Sequence, residues 1–266
     1  MKIFISADIE GITSTVKWSE TSPDGKDYIF HSEEMTQEVI AACNAAIDAG
    51  ADEIYVRDAH GFADNINIKL LPECVRLIRG WEGNPYMMVQ GIDSSFDAVM
   101  FIGYHSEAGS VGNPLSHTMT RRNRCVRING VESSEFYIYS MCAAYEGVPT
   151  VHLSGDKMLC EKSKNICPWI ITTPVKEGIG NSVVCMSPTL AKNKIYDNTL
   201  KALSQNLKEI PIMSLPTKYE VEVEYKEHTD ATKMSYFPGV HRIDKYTVGF
   251  ETEDFELFIR TLIYVL

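Results

Sequence analysis

Apolar runs of strand length alternate with helical patterns through the first two-thirds of the chain. Residues 1–7 form one such run and end in Asp8-Ile9-Glu10-Gly11. Residues 54–56 form a second, ending in Arg57-Asp58-Ala59-His60-Gly61, and residues 98–103 a third, ending in Tyr104-His105. Between the first two, Met35, Val39, Ala42, Ala46 and Ile47 recur on one face of a helix expected over residues 33–49. Ser32 is its N-cap and Gly50 its stop. Strand, helix and strand in this order make a βαβ unit, which builds parallel sheet through a right-handed crossover.

Further along, residues 87–89 read as a short strand and residues 125–130 as a hairpin turned by Asn129-Gly130. Ser133 or Ser134 caps a helix running through Tyr145 to a stop at Gly147. Residues 148–153 read as another strand, ending in Ser154-Gly155-Asp156. Ser187-Pro188 opens a helix with Leu200, Leu203 and Leu207 on one stripe, and Pro211 and Pro216 then punctuate a linker. Residues 220–225 alternate strictly between Glu and an apolar residue, as a strand with one wet face does. A strand over 246–251 and an amphipathic helix over 255–266 close the chain. The expected fold is α/β: a mostly parallel central sheet flanked by helices over residues 1–210, with a smaller C-terminal α+β portion over 211–266 packed on it.

Composition narrows the function. At 266 residues with 44% hydrophobic content, the chain can bury a sizeable core. Its formal net charge of −11 counts against nucleic acid and anionic membrane as partners. No apolar stretch approaches the roughly 20 residues that span a bilayer, and the N-terminal segment does not read as a signal peptide. The seven cysteines, at 43, 74, 125, 142, 160, 167 and 185, include no C-x-x-C pair. That scatter fits reduced thiols in the cytoplasm better than a disulfide framework. Arg121, Arg122, Arg124 and Arg127 form the one basic cluster, either a solvated loop or a contact for an anion such as a substrate carboxylate.

The three strand ends carry the chemistry. Ligands of open α/β sheets gather outside the C-terminal ends of the strands. Asp8 and Glu10 are two apart, so an extended backbone turns both carboxylates to one side. Two acids held together repel unless a cation or shared proton compensates. With His60 and His105 they make the nitrogen and oxygen donor set of zinc and similar ions. A bridging carboxylate would set two ions roughly 3.5–4 Å apart, as in dinuclear hydrolases. Asp58 either orients the His60 ring or caps the following turn. His117, among small polar neighbours in Leu115-Ser116-His117-Thr118-Met119, is a ligand, a proton-transfer group, a nucleophile or a plain loop residue. Glu135 falls at the start of the capped helix. His152 reads as buried within its strand.

Taken in order, these segments resemble the zinc-dependent D-aminopeptidase family. The matching pieces are Ser6-Ala7-Asp8-Ile9-Glu10-Gly11-Ile12, Asp58-Ala59-His60-Gly61, Phe101-Ile102-Gly103-Tyr104-His105, Ser116-His117-Thr118-Met119 and Ile128-Asn129-Gly130 on to Glu135. Val148-Pro149 through Gly155-Asp156, Val175-Lys176-Glu177-Gly178 and Ser187-Pro188 follow. The resemblance spans essentially the whole chain and is weakest after about residue 210. It implies a hydrolase that removes N-terminal D-amino acids from short peptides. It implies two zinc ions per subunit, held by Asp8 as the bridge with Glu10, His60, His105 and Glu135, and a catalytic His117. It also implies a homodecamer of two stacked pentamer rings that admits only small peptides. Three departures fall where substrate contacts are expected: a longer loop between His105 and His117, the Gly155-Asp156-Lys157 segment, and Asn181. A dinuclear phosphoesterase and a non-catalytic ring-forming peptide- or metal-binding protein are the alternatives. The residue 220–225 strand and the final helix, with Phe255, Phe258, Leu262 and Tyr264, are either subunit contacts or ordinary core.

Overall fold

A computed structural model describes residues Met1–Leu266. In chain order the elements are β1 (Lys2–Ala7), α1 (Tyr28–Asp48), β2 (Glu53–Asp58), β3 (Val75–Ile78), β4 (Ala98–Tyr104), β5 (Asn123–Ile128), β6 (Val131–Glu132) and α2 (Glu135–Tyr145). They continue with β7 (Thr150–Asp156), α3 (Lys157–Ile166), β8 (Ile171–Ile179), β9 (Ser182–Cys185), α4 (Pro188–Leu203), β10 (Tyr219–Tyr225), α5 (His228–Met234), β11 (His241–Arg242), β12 (Thr247–Thr252) and α6 (Phe255–Val265).

Two sheets result. The larger has the order β3-β2-β1-β4-β7-β8-β9 and is parallel except for the β8–β9 hairpin. The expected mostly parallel α/β sheet is therefore present. β1 runs unbroken in apolar residues up to Ser6 because both of its faces are covered. Ile3, Ile5 and Ala7 pack with Met35, Val39 and Ala42 of α1 and with Ala191 and Ile195 of α4. Phe4 belongs to the core of the opposite face, with Phe101, Leu153, Phe136 of α2 and Leu159 of α3. Each such side chain, fully buried, contributes roughly 1.5–3 kcal/mol.

The second sheet is antiparallel, in the order β11-β12-β10-β5-β6. It draws strands from both sides of residue 210. Tyr219, Val221, Val223 and Tyr225 of β10 are buried, and Phe255, Phe258 and Leu262 of α6 lie in the same core. Those three positions are ordinary core, and Tyr264 alone of the four named on this helix is exposed.

Local expectations fared unevenly. Asn129 and Gly130 both have positive φ, as their tight hairpin turn requires. Ser134 and Ser187 accept from the N–H groups of Tyr137 and Leu190 and cap α2 and α4. By contrast, α1 starts at Tyr28, five residues ahead of the expected start. Ser32 lies inside it and donates its hydroxyl to the Asn65 carbonyl. Residues 87–89 form a 3-10 turn rather than a strand, and Met87 has φ of 34°, outside any strand conformation.

Candidate metal centre

β1 lies between β2 and β4, with Ala7 in register with Asp58 on one side and with Ile102 on the other. The chain leaves β1 for β2 and later returns to β1's other side with β4. That reversal opens a crevice at the strand ends. Asp8 and Glu10 come from the end of β1, His60 from the loop after β2, His105 from the end of β4, and Glu135 from the first turn of α2.

Backbone contact sets the spacing. The Gly11 N–H donates to the Gly103 carbonyl at 2.8 Å and the Asp8 N–H to the Ile102 carbonyl at 2.9 Å. A Cβ on Gly11 would stand 1.8 Å from the Tyr104 carbonyl oxygen. The Glu10 turn thus lies directly on the backbone that carries His105. Beyond Ala7 the chain bends, so a bend as well as strand alternation turns both carboxylates toward His60. Buried Lys176 and Asn113 both donate to the Glu10 carbonyl and hold that turn from two sides.

The side chains converge around Asp8. Its Oδ1 lies 3.3 Å from His60 Nδ1, which is 2.9 Å from Glu10 Oε2. Its Oδ2 lies 3.3 Å from His105 Nε2, which is also 3.3 Å from Glu135 Oε2. One carboxylate therefore faces two separate acid and imidazole pairs. Each ring is fixed from behind. His60 Nε2 is 2.7 Å from the Thr21 carbonyl, His105 Nδ1 is 2.9 Å from the Ser106 carbonyl, and His117 Nδ1 is 2.9 Å from the Leu115 carbonyl. A carbonyl only accepts, so these nitrogens carry the protons. The neutral rings then turn lone pairs toward the acids, as metal-binding histidines do.

Lone pairs facing carboxylates repel unless something positive lies between them. Asp8 Oδ2, Glu10 Oε2 and His105 Nε2 are buried without a hydrogen-bond partner. Such orphaned atoms are costly. The set fits a cation. In its absence a proton serves. Burial opposes a charged His60, yet Glu10 and Asp8 outweigh it and raise its pKa well above the ordinary value. Burial likewise opposes charge on His105, where Glu135 and Asp8 prevail. Burial would raise the Asp8 pKa, but His105 and His60 hold it well below the usual carboxylate range.

His117 stands beside this group. Its ring stacks on His105, with centroids 4.3 Å apart, and its Nε2 lies 3.7 Å from Glu135 Oε1. Glu135 Oε1 already accepts the Met119 N–H at 2.6 Å. Asp58 does not touch His60. It caps the next turn by accepting from the N–H groups of Asn65 and Ile66 and from the Asn65 amide. Asp156 is spent on the Ser106 N–H and hydroxyl and on capping α3. Asn181 sits in the exposed β8–β9 turn, away from the cavity.

The carboxylates open into a cavity of about 420 Å³. Sequence reasoning missed most of its walls: Trp18, Phe62, Trp81, Met87, Met88 and Met119. The long loop over residues 13–31 was the available signal, and it supplies Trp18, Thr21, Ser22 and Pro23. Met87 and Met119 hold positive φ. Strain of this kind persists where surrounding contacts over-determine the backbone, commonly at functional sites.

Carboxylates and imidazoles gathered at the ends of parallel strands mark a cation-dependent α/β enzyme. A family model described as Peptidase M55, D-aminopeptidase, matches residues 1–263. A D-aminopeptidase of Bacillus subtilis (strain 168) is 28% identical over 256 residues, covering 96% of this chain and 92% of that protein. The solved structure of the Zn-dependent D-aminopeptidase DppA from Bacillus subtilis, described as a self-compartmentalizing protease, superposes with a TM-score of 0.93 at 26% identity. That match covers 100% of this chain and 96% of the other. The chain belongs to the D-aminopeptidase family and is an enzyme of the aminopeptidase class.

Proposed function

We propose that this enzyme removes N-terminal D-amino acids from short peptides with two zinc ions per subunit. The observation that carries the reading is the placement of Asp8, whose two oxygens face different acid and imidazole pairs, with buried atoms left unpaired around it. Asp8 Oδ1, Glu10 and His60 would hold one ion, and Asp8 Oδ2, His105 and Glu135 the other. Zinc held by these residues would supply Lewis-acid chemistry for a peptide carbonyl and for a nucleophilic water near neutral pH.

The chain's own groups do the rest. With Asp8, Glu10 and Glu135 committed to the ions, a neutral α-amino group at the cavity floor would be recognised as the end of a peptide. His117 has its Nδ1 proton committed to the Leu115 carbonyl, which leaves Nε2 free to take up a proton at the cavity edge. It serves as general base and acid or as nucleophile. The cavity volume suits a peptide of few residues. By analogy with the self-compartmentalizing relative, the subunits assemble as a homo-oligomer, a decamer of two pentamer rings, in the cytoplasm. Seven unpaired thiols suit that compartment, and no helix is long and apolar enough to cross a membrane. No observation favours phosphoester hydrolysis.

Elemental analysis of the Asp8→Ala protein tests the bridge. Both ions should be lost together, along with hydrolysis of D-alanyl peptides by the zinc-loaded enzyme. Full metal content in that variant, or wild-type enzyme that cleaves L-peptides and spares their D-counterparts, would reject the corresponding part of the reading.

A further inference from the structure

The four arginines at 121–127 are not equivalent. Arg122 meets Asp230 and the Leu266 carbonyl, Arg124 meets Glu224, and Arg127 meets Glu222 and Glu224. Arg121 has no carboxylate and no hydrogen-bond acceptor. Its guanidinium lies over the Trp18 ring, 4.2 Å from the centroid. It is also the one lysine or arginine among the residues that line the cavity. An unpaired cation thus stands in a cavity whose floor is made of carboxylates.

Its position is tied to the metal centre. Trp18 makes an edge contact with the His117 ring at 5.2 Å, and His117 stacks on His105. Arg121 also follows directly on the turn in which the Met119 N–H holds Glu135. The guanidinium is therefore held a short way along the wall from the reacting end. An extended residue spans at most about 3.6 Å, so a peptide of a few residues reaches from one to the other. The contact with Trp18 locates the guanidinium, and none of its N–H groups is taken by an acceptor on the protein. A planar fork of this kind matches a carboxylate in two parallel hydrogen bonds.

We infer that Arg121 is the specificity residue for the far end of the substrate and binds the free C-terminal carboxylate of a short peptide. This rests on the peptidase reading above. A floor that holds the metal ions, with one unpaired arginine on the wall beside it, is matched to a short peptide that ends in a free carboxylate. A peptide lacking the terminal charge, or one too long to set it against Arg121, forfeits that contact.

The test compares D-alanyl-D-alanine with its C-terminal amide on the zinc-loaded enzyme, in the wild type, Arg121→Met and Arg121→Lys. Arg121 is exposed, and an ion pair at such a site is worth roughly 2- to 5-fold, so wild-type kcat/KM should favour the free acid by about that factor. Arg121→Met should bring the ratio of acid to amide close to one, mainly through KM on the acid. Arg121→Lys should restore part of it. A ratio unchanged in Arg121→Met overturns the assignment. So does an equal fall on both substrates, because the residue would then act on the site as a whole. If wild type cleaves neither compound, the peptidase reading itself fails and takes this inference with it.

Discussion

His117 separates binding from chemistry at the scale of single residues. Its ring lies against His105 and Glu135, yet Asp8 and the four side chains around it would make two donor sets without it. His117→Ala should retain both ions and lose turnover by about 10²- to 10⁴-fold, the usual worth of a proton-transfer group. Metal analysis alongside kinetics checks this, and metal loss in step with activity would make His117 a ligand. His152 supports a prediction of another kind. Burial alone pushes its pKa down from 6.5 to about 3, and it stays neutral between the hydroxyls of Thr173 and Thr199. Below pH 6.5 the unfolded chain takes up a proton that the folded one refuses. Stability from this group therefore falls with decreasing pH across the window from 6.5 to 3, by up to roughly 1.4 kcal/mol per pH unit, and is flat above it. Urea midpoints for His152→Gln should fall less steeply than wild type below pH 6.5, and parallel curves would refute the assignment. Asp8, Glu10, His60 and His105 were legible in the sequence because each follows an apolar run, whereas Glu135 and His117 gained their roles only from the family resemblance. Trp18 and Arg121 carried no such mark. Their place depends on how a long loop folds back, and no local pattern encodes that.

At the scale of elements, the centre depends on how closely the ends of β1 and β4 approach. Gly11 and Gly103 permit that approach. A Cβ on Gly103, where φ is 74°, would stand 2.2 Å from the Asp8 carbonyl oxygen. Gly11→Ala should therefore cost about 3 kcal/mol or more and deplete metal, since backbone, unlike a side-chain tip, cannot step aside. Gly147 gives the contrast. It closes α2 with φ of 76° and open space around it, so Gly147→Ala should cost only about 1–2 kcal/mol and leave metal in place. Urea denaturation with metal analysis compares the two, and equal effects would undo the argument. Periodicity foretold β1, β2, β4 and β10 because their burial is regular. It missed β3, β8 and β9, whose residues are largely half-buried or exposed. It also set the start of α1 late, because the serine that looked like a cap bonds to a neighbouring loop instead.

At the scale of the whole molecule, the unresolved burden is apolar surface near the cavity mouth. Phe62, in the cavity wall, is 74% exposed, and Ile29 in the first turn of α1 is 70% exposed. The two segments are joined by hydrogen bonds from Tyr28 and Ser32 to Asn65. Apolar side chains left exposed on neighbouring segments are where a contact with another subunit would gain most. The α6 helix, by contrast, spends Phe255, Phe258 and Leu262 on its own subunit and offers little beyond Tyr264. An assembly that encloses the cavities would cover the mouth region and limit substrates by size, in addition to any selection by Arg121. Identical subunits close into rings when each presents the same pair of surfaces. Light scattering at micromolar concentration should give a particle of about ten times the 29.9 kDa chain mass. A 29.9 kDa species would remove the enclosure and with it any size limit imposed by the assembly. The metal centre would stand either way, because every side chain around Asp8 comes from one chain.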